Sequence, residues 1–258
     1  MSNDKYTVGI IGGGFVGSAV ASFFGDAKIY DKFKTVDSWD EVIKRELIFV
    51  CVPTPYSEGF DRSALDDVFA KIGGSGQTPI VVIKSTCVPG TTDYFQKQYP
   101  QLKILFNPEF LTQATAQEDF KNPDKQLVGF TEQSQGVAQS VLDILPNAPY
   151  KKILPATAAE LVKYAVNSFY ATKVIFGNIL YDLAQALGVD YSEVKEAFAS
   201  DKRITDSHFD VMHGGYRGYG GKCLPKDLLS LAELGKKKGV DVGLLEKVDE
   251  MNRKYTSL

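Results

Sequence analysis

The chain has 258 residues, 44% hydrophobic and 24% charged, with a net charge of −3. That is the balance of an ordinary soluble globular protein, with no electrostatic ground for nucleic acid or an anionic membrane as partner. Cys51, Cys87 and Cys223 stand far apart with no C-x-x-C, which speaks against a disulfide framework or a metal site and for a reducing compartment.

No apolar run reaches membrane-spanning length, and the first five residues do not read as a signal peptide. The expectation is a cytoplasmic protein of two modest domains or one large one. In chain order, short apolar strands are expected at 7–11, 28–30, 47–52, 80–84, 103–106 and 126–130. Between them, 15–24, 63–72 and 136–145 carry helical periodicity, and Pro53-Thr54-Pro55 and Gly73-Gly74-Ser75-Gly76 read as turns. This alternation predicts βαβ units on a parallel, Rossmann-like sheet.

After Pro155 the pattern changes. Leu161, Tyr164, Ala165, Phe169, Ile175, Phe176, Ile179, Leu183 and Leu187 recur on one face of a helix over 158–187, stopped by Gly188. A helix of roughly 30 residues is about 45 Å long, and such a length suits bridging domains or packing on a second chain. Further helices are expected at 191–199, 225–238 and 244–254. The fold class is therefore α/β, with a Rossmann-like domain over 1–155 and an all-helical domain, built on one long central helix, over 156–258.

Two segments carry the clearest chemistry. Gly12-Gly13-Gly14-Phe15-Val16-Gly17 follows a strand and opens a helix. In such a turn Gly12 allows the tight bend, Gly14 lets a pyrophosphate reach the backbone, and Gly17 lets helix and strand pack closely. Asp31 ends the next strand, where a carboxylate accepts the ribose hydroxyls and repels a 2′-phosphate; NAD is expected over NADP. Phe15, Val16 and Lys32 complete the expected cofactor contacts.

Near the other end, Gly218-Tyr219-Gly220-Gly221-Lys222-Cys223-Leu224-Pro225-Lys226-Asp227 delivers a cysteine to a helix start. Pro225 suits the first turn. Helix N–H groups and two flanking lysines favour a thiolate at Cys223, so the chain reads as an oxidoreductase with a covalent thiol step. Lys84-Ser85-Thr86 and Asn107-Pro108-Glu109-Phe110-Leu111 follow strand ends, where open α/β sheets hold ligands. Glu160, Lys163 and Asn167 project from one side of the long helix.

Taken together, these motifs resemble the UDP-glucose/GDP-mannose dehydrogenase family, and Val52-Pro53-Thr54-Pro55 and the run from Ser85 to Thr92 add to the likeness. The resemblance implies oxidation of a nucleotide sugar at C6 in two NAD-dependent steps, with UDP-glucose the first expectation. Cys223 would carry a thiohemiacetal and then a thioester. Lys163 and Asn167 would stabilise oxyanions, Asp227 would orient Lys163 or a water, and Thr86 and Glu109 would hold water and relay protons. Thr86 is also a cofactor contact. Phe110, Leu111, Lys163, Asn167, Tyr219 and Gly220 would meet the substrate, with Arg203 reaching the substrate of a neighbouring subunit in a homodimer formed by the long helix.

Two departures from the family stand out. Gln113 occupies a position where relatives carry a second glutamate, which predicts slow thioester hydrolysis. Relatives also continue into a second nucleotide-binding domain near Tyr255, so a short form without that domain is expected. The competing readings are a one-step β-hydroxyacid dehydrogenase, which has no use for Cys223, and a non-catalytic NAD-binding partner of a full-length relative. His208 and His213 read as surface loop residues.

Overall fold

The computed structural model describes residues 5–256. The chain divides into two compact units, residues 1–163 and 164–258. The first is built on a seven-stranded sheet of β1 (Val8–Ile11), β2 (Lys28–Tyr30), β3 (Leu47–Val50), β4 (Ile80–Ile83), β5 (Lys103–Phe106), β6 (Lys125–Phe130) and β7 (Tyr150–Pro155), in the order β2-β1-β3-β4-β5-β6-β7.

β1 and β3 are buried along their whole length, because helices cover both faces of the sheet and both faces must be apolar. The two-residue period of the strands divides their side chains between two cores. Ile48, Val50, Val81, Ile83, Ile104 and Phe106 join α3 (Ser63–Gly74) and α4 (Thr91–Gln98) on one face. Val8, Ile10, Leu47, Phe49, Val82 and Leu105 join α1 (Phe15–Phe24), α5 (Ala116–Lys121) and α6 (Gln135–Ile144) on the other. Phe69 stacks on Phe95 with ring centroids 4.0 Å apart, which fastens α3 to α4.

The helices α4 and α5 lie outside the sequence expectation, and three further features differ from it. β6 runs antiparallel to β5, pairing Leu105 with Phe130 and Phe106 with Gly129. The chain leaving β5 turns straight back past the short α5, and an antiparallel neighbour needs no return crossover. The edge strand β7 is hidden in the sequence because Tyr150-Lys151-Lys152 is charged and exposed, as edge strands often are. The short helix α2 (Trp39–Val42) rests on its cap: Ser38 and Glu41 form a reciprocal capping box.

The long helix α7 spans Ala156–Leu187, 32 residues, and ends at Gly188, whose φ of 72° suits glycine. Residues 164–187 of it belong to the second unit, with α8 (Tyr191–Ala199), α9 (Leu224–Lys237) and α10 (Gly243–Thr256). The core there is small: Ala171, Ile175, Tyr219, Leu228 and Val248. Among the described residues no helix is long and apolar enough to cross a membrane.

Candidate active site

The glycine-rich turn sits between β1 and α1, where the strand order reverses from β2-β1 to β3. Open sheets place dinucleotides at such a switch point. Gly12 has φ 104°, and a Cβ there would lie 2.5 Å from the Cys51 carbonyl oxygen. A Cβ on Gly17 would lie 1.9 Å from the Gly12 oxygen, so only glycine lets α1 approach β1. Gly14 is different: nothing stands within 4 Å of a Cβ built on it. Folding alone does not require glycine there, whereas a bound pyrophosphate would.

Asp31 accepts the Gly13 N–H at 2.6 Å and the Phe33 N–H at 2.8 Å. Burial works against its charge, but those N–H groups and the Lys34 ammonium hold the carboxyl below its usual range. A fixed carboxylate thus stands at the end of β2, the place for ribose hydroxyls. Asp31→Asn should weaken NADH binding about ten- to a hundredfold and narrow the gap to NADPH. Parallel fluorescence titrations with the two nucleotides check this; equal affinities in the unmodified chain would contradict the role. Phe15 is exposed and Val16 half-buried, while Lys32 pairs with Asp67 at 3.3 Å on the surface. A cleft of about 530 Å³ opens beside Phe15 and Ser18, with Gln113 and residues 114–118 on its other wall.

The ends of β4 and β5 meet the first turns of α7. Lys163 and Glu109 are almost fully buried and form an ion pair at 2.8 Å. Glu109 also accepts the Leu111 N–H at 2.8 Å. Burial pushes its carboxyl up, yet the Lys163 charge and hydrogen bond, the Leu111 N–H and Lys84 bring it below the ordinary value. Glu109 is therefore a carboxylate at neutral pH, able to take a proton. The Phe110 ring lies 5.5 Å from the Lys163 ammonium and 4.1 Å from that of Lys125. Thr86 is half-buried, and its carbonyl accepts the Thr54 hydroxyl at 2.6 Å.

Glu160, one turn before Lys163, is fully buried. Its carboxylate accepts the N–H groups of Gly90 (2.6 Å) and Thr92 (2.8 Å), the Thr92 hydroxyl (2.6 Å) and the Cys87 thiol (3.4 Å). It thereby caps the N-terminus of α4 from another helix and fixes the start of α7 against the segment after Thr86. Burial nevertheless raises its carboxyl to about 7 from 4.5. The folded state then holds this proton more tightly than the unfolded chain between those values, so its contribution to stability falls as pH rises through that window and is level above it. The stability difference between the chain and Glu160→Gln, followed by denaturant melts, should change between pH 4.5 and 7; a constant difference would contradict the assignment.

In the second unit Cys223 is exposed and is the N-cap of the 14-residue α9, with Pro225 in the first turn. The thiol thus stands where the helix favours negative charge. Asp227, buried one turn on, accepts Asn167 Nδ2 at 2.5 Å and pairs with Lys226 at 2.6 Å. Where the sequence suggests that Asp227 orients Lys163 or a water, its carboxylate is bonded to Asn167 and Lys226, and it holds the Asn167 amide in one orientation.

The glycine loop before Cys223 is clamped by Asn252 of α10, which accepts the Tyr219 N–H at 2.7 Å and donates to the Tyr219 carbonyl at 2.9 Å. The Tyr219 ring is part of the helical core, and Gly220 is half-buried against Tyr216. Arg203 is exposed and held by Asp201. His208 stacks on Tyr170 with centroids 4.0 Å apart, in the left-handed region at φ 72°. Sequence reasoning missed Asn252 and the anchoring parts of Glu160 and Lys84. A double glycine next to a buried aromatic was a signal for some clamp, but nothing in sequence pointed 33 residues downstream.

A doubly wound sheet, a glycine turn at its switch point and a carboxylate closing the second strand define a dinucleotide-binding protein, and the open space at Gly14 and the fixed Asp31 fit NAD. Residues 27–145 match the NAD binding domain of the UDP-glucose/GDP-mannose dehydrogenase family and residues 157–254 match its central domain; the chain belongs to that family.

It is 30% identical over 246 residues to a UDP-glucose 6-dehydrogenase of Rickettsia bellii, covering 92% of this chain and 56% of the relative. It is 33% identical over 228 residues to one of Pseudomonas aeruginosa, covering 83% and 49%. The chain thus spans about half the length of these curated relatives. A solved UDP-glucose dehydrogenase from Pyrobaculum islandicum superposes with a TM-score of 0.84 at 28% identity, covering 96% of this chain and 68% of that one.

Proposed function

We propose that the chain oxidises a nucleotide sugar, UDP-glucose before others, at C6 to the uronic acid through a covalent intermediate on Cys223. The observation that carries this is the exposed cysteine at the N-terminus of α9, one turn before the buried Asp227–Asn167 pair. Family membership and relatives named UDP-glucose 6-dehydrogenase support the substrate class.

NAD, when bound, supplies hydride acceptance, once at the alcohol, whose hydroxyl proton passes to the water relay of Thr86 and Glu109, and once at the thiohemiacetal. The chain's own residues do the rest. The Cys223 thiolate adds to the C6 aldehyde, forming a C–S bond and leaving negative charge on oxygen. Lys163 and Asn167 stabilise that oxygen. After the second oxidation a thioester remains. Water held by Thr86 gives a proton to Glu109 and attacks the carbonyl, the C–S bond breaks, and the thiolate returns with the acid released. Covalent capture keeps a reactive aldehyde from escaping between oxidations. Phe110, Leu111 and the backbone at Tyr219 and Gly220 are the proposed sugar contacts.

Incubation with NAD and a panel of sugar nucleotides, following NADH absorbance, tests this reading. NADH formed with UDP-glucose and an acid product support it; no NADH with any sugar nucleotide would refute it.

The chain also acts as a homodimer in this reading. Phe169, Phe176, Leu183 and Leu187 are exposed on the second-unit part of α7 and spaced by seven, seven and four residues. That is one helix stripe, and large exposed apolar patches are unusual on monomers. Sedimentation should give about twice the chain mass of 28.4 kDa; a single-chain species at working concentration would contradict it.

A further inference from the structure

Lys84 follows β4 directly and is 2% exposed. Its ammonium donates to Asn107 Oδ1 at 2.7 Å and reaches the Asn107 carbonyl at 3.4 Å. Asn107 is itself fully buried, and its Nδ2 donates to the Leu127 carbonyl at 2.7 Å and to Gln126 Oε1 at 3.2 Å. Lysine can only donate, so it fixes the orientation of the amide. The chain of contacts ties β4 to β6 through the first residue of the 107–111 loop, and Glu109 is two residues further along that loop.

Such a lysine is costly as a packing device. Its hydrogen-bond acceptors are neutral, and a buried charge without a bonded carboxylate is disfavoured against an apolar residue of like volume. Burial pushes its ammonium down to about 8, so it still carries its charge at neutral pH. The groups that face it are few. Glu109 favours its charge, Lys163 opposes it, Cys51 lies near it, and the Phe120 ring is 5.1 Å away. Cys51 stays a neutral thiol, because burial raises it to about 12. Glu109 is then the one anion among these groups at neutral pH.

We propose that Lys84 is a positioning residue for Glu109, acting through Asn107 on the 107–111 loop and through its charge on the carboxylate. The proposal rests on the reading in which Glu109 takes the proton of the hydrolytic water. Glu109 is paired with Lys163 from α7 and accepts the Leu111 N–H from its own loop, and the charge of Lys84 at the end of β4 also favours its ionised form. With Lys163 engaged in the oxyanion, Lys84 is the cation that remains to keep Glu109 a base.

Two substitutions test it. Lys84→Gln keeps a donor for Asn107 and removes the charge, whereas Lys84→Met removes both. Both should shift the acid limb of the turnover profile to higher pH. KM for NAD should stay the same. The Glu109 carboxyl band in infrared difference spectra, assigned with Glu109→Gln, should protonate at higher pH in both variants. That band needs no turnover, so it stands apart from the function proposed above. An unshifted band in Lys84→Gln, or in Lys84→Met where the first does not fold, overturns the proposal. A shifted band in a chain without dehydrogenase activity upholds the hold on Glu109 and refutes the function instead.

Discussion

Cys223→Ala should lower uronic acid formation by at least about a thousandfold and leave NADH binding unchanged. Without the thiol no C–S bond forms, so the sugar can reach the aldehyde but has no covalent route to the acid. The side chain is exposed at the end of α9, and exposed positions rarely shift stability by more than about 0.5 kcal/mol. The thermal midpoint should therefore hold, which separates lost chemistry from lost folding. Product analysis and nucleotide titration on the same preparation check both halves. Undiminished acid production in the alanine variant would contradict the thiol mechanism.

Lys163→Met should be the most damaging substitution for stability. Lys163 and Glu109 form their ion pair almost out of water, and breaking a buried pair from one side costs about 3–5 kcal/mol because the other charge is left uncompensated. Glu109 is held below its ordinary value of 4.5 mainly by that lysine, against burial. In the intact chain this stabilises the fold above the unfolded value and is lost as pH falls through the folded one. In Lys163→Met burial prevails, the carboxyl rises, and the deficit should shrink as the solution is acidified. The double variant with Glu109→Gln should recover much of the loss at neutral pH. Denaturant melts of the four combinations measure the coupling; an additive cycle would contradict a buried pair.

Much of the fold is legible because both periods are strongly expressed. β3 and β4 are short runs of Val, Ile, Leu and Phe, and β1 is Val-Gly-Ile-Ile, each between turn residues, and α7 keeps its apolar face until Gly188. The elements that escaped are those stabilised by something other than apolar pattern. α2 depends on a capping box. α4 has a polar sequence and relies on Phe95 and on a carboxylate supplied from α7. β7 is a charged edge.

The candidate site divides the same way. Gly12, Gly17, Asp31 and Cys223 could be named because backbone geometry or helix position restricts the residue type. Lys163 and Glu109 could be named, but their pairing could not, since a long helix and a loop far apart in sequence supply the partners. Lys84 and Asn252 act through contacts 23 and 33 residues away, and no local pattern distinguishes them from a surface lysine or a helix asparagine.

The central claim is that one thiol carries the sugar through two oxidations. The most direct measurement is the number of NADH formed per UDP-glucose consumed, with the reaction quenched early and the protein analysed by mass spectrometry. The expected result is two NADH for each uronic acid, together with a sugar-nucleotide adduct on Cys223 that accumulates before the acid. One NADH per sugar, with free aldehyde or ketone as product and no adduct on Cys223, would contradict it.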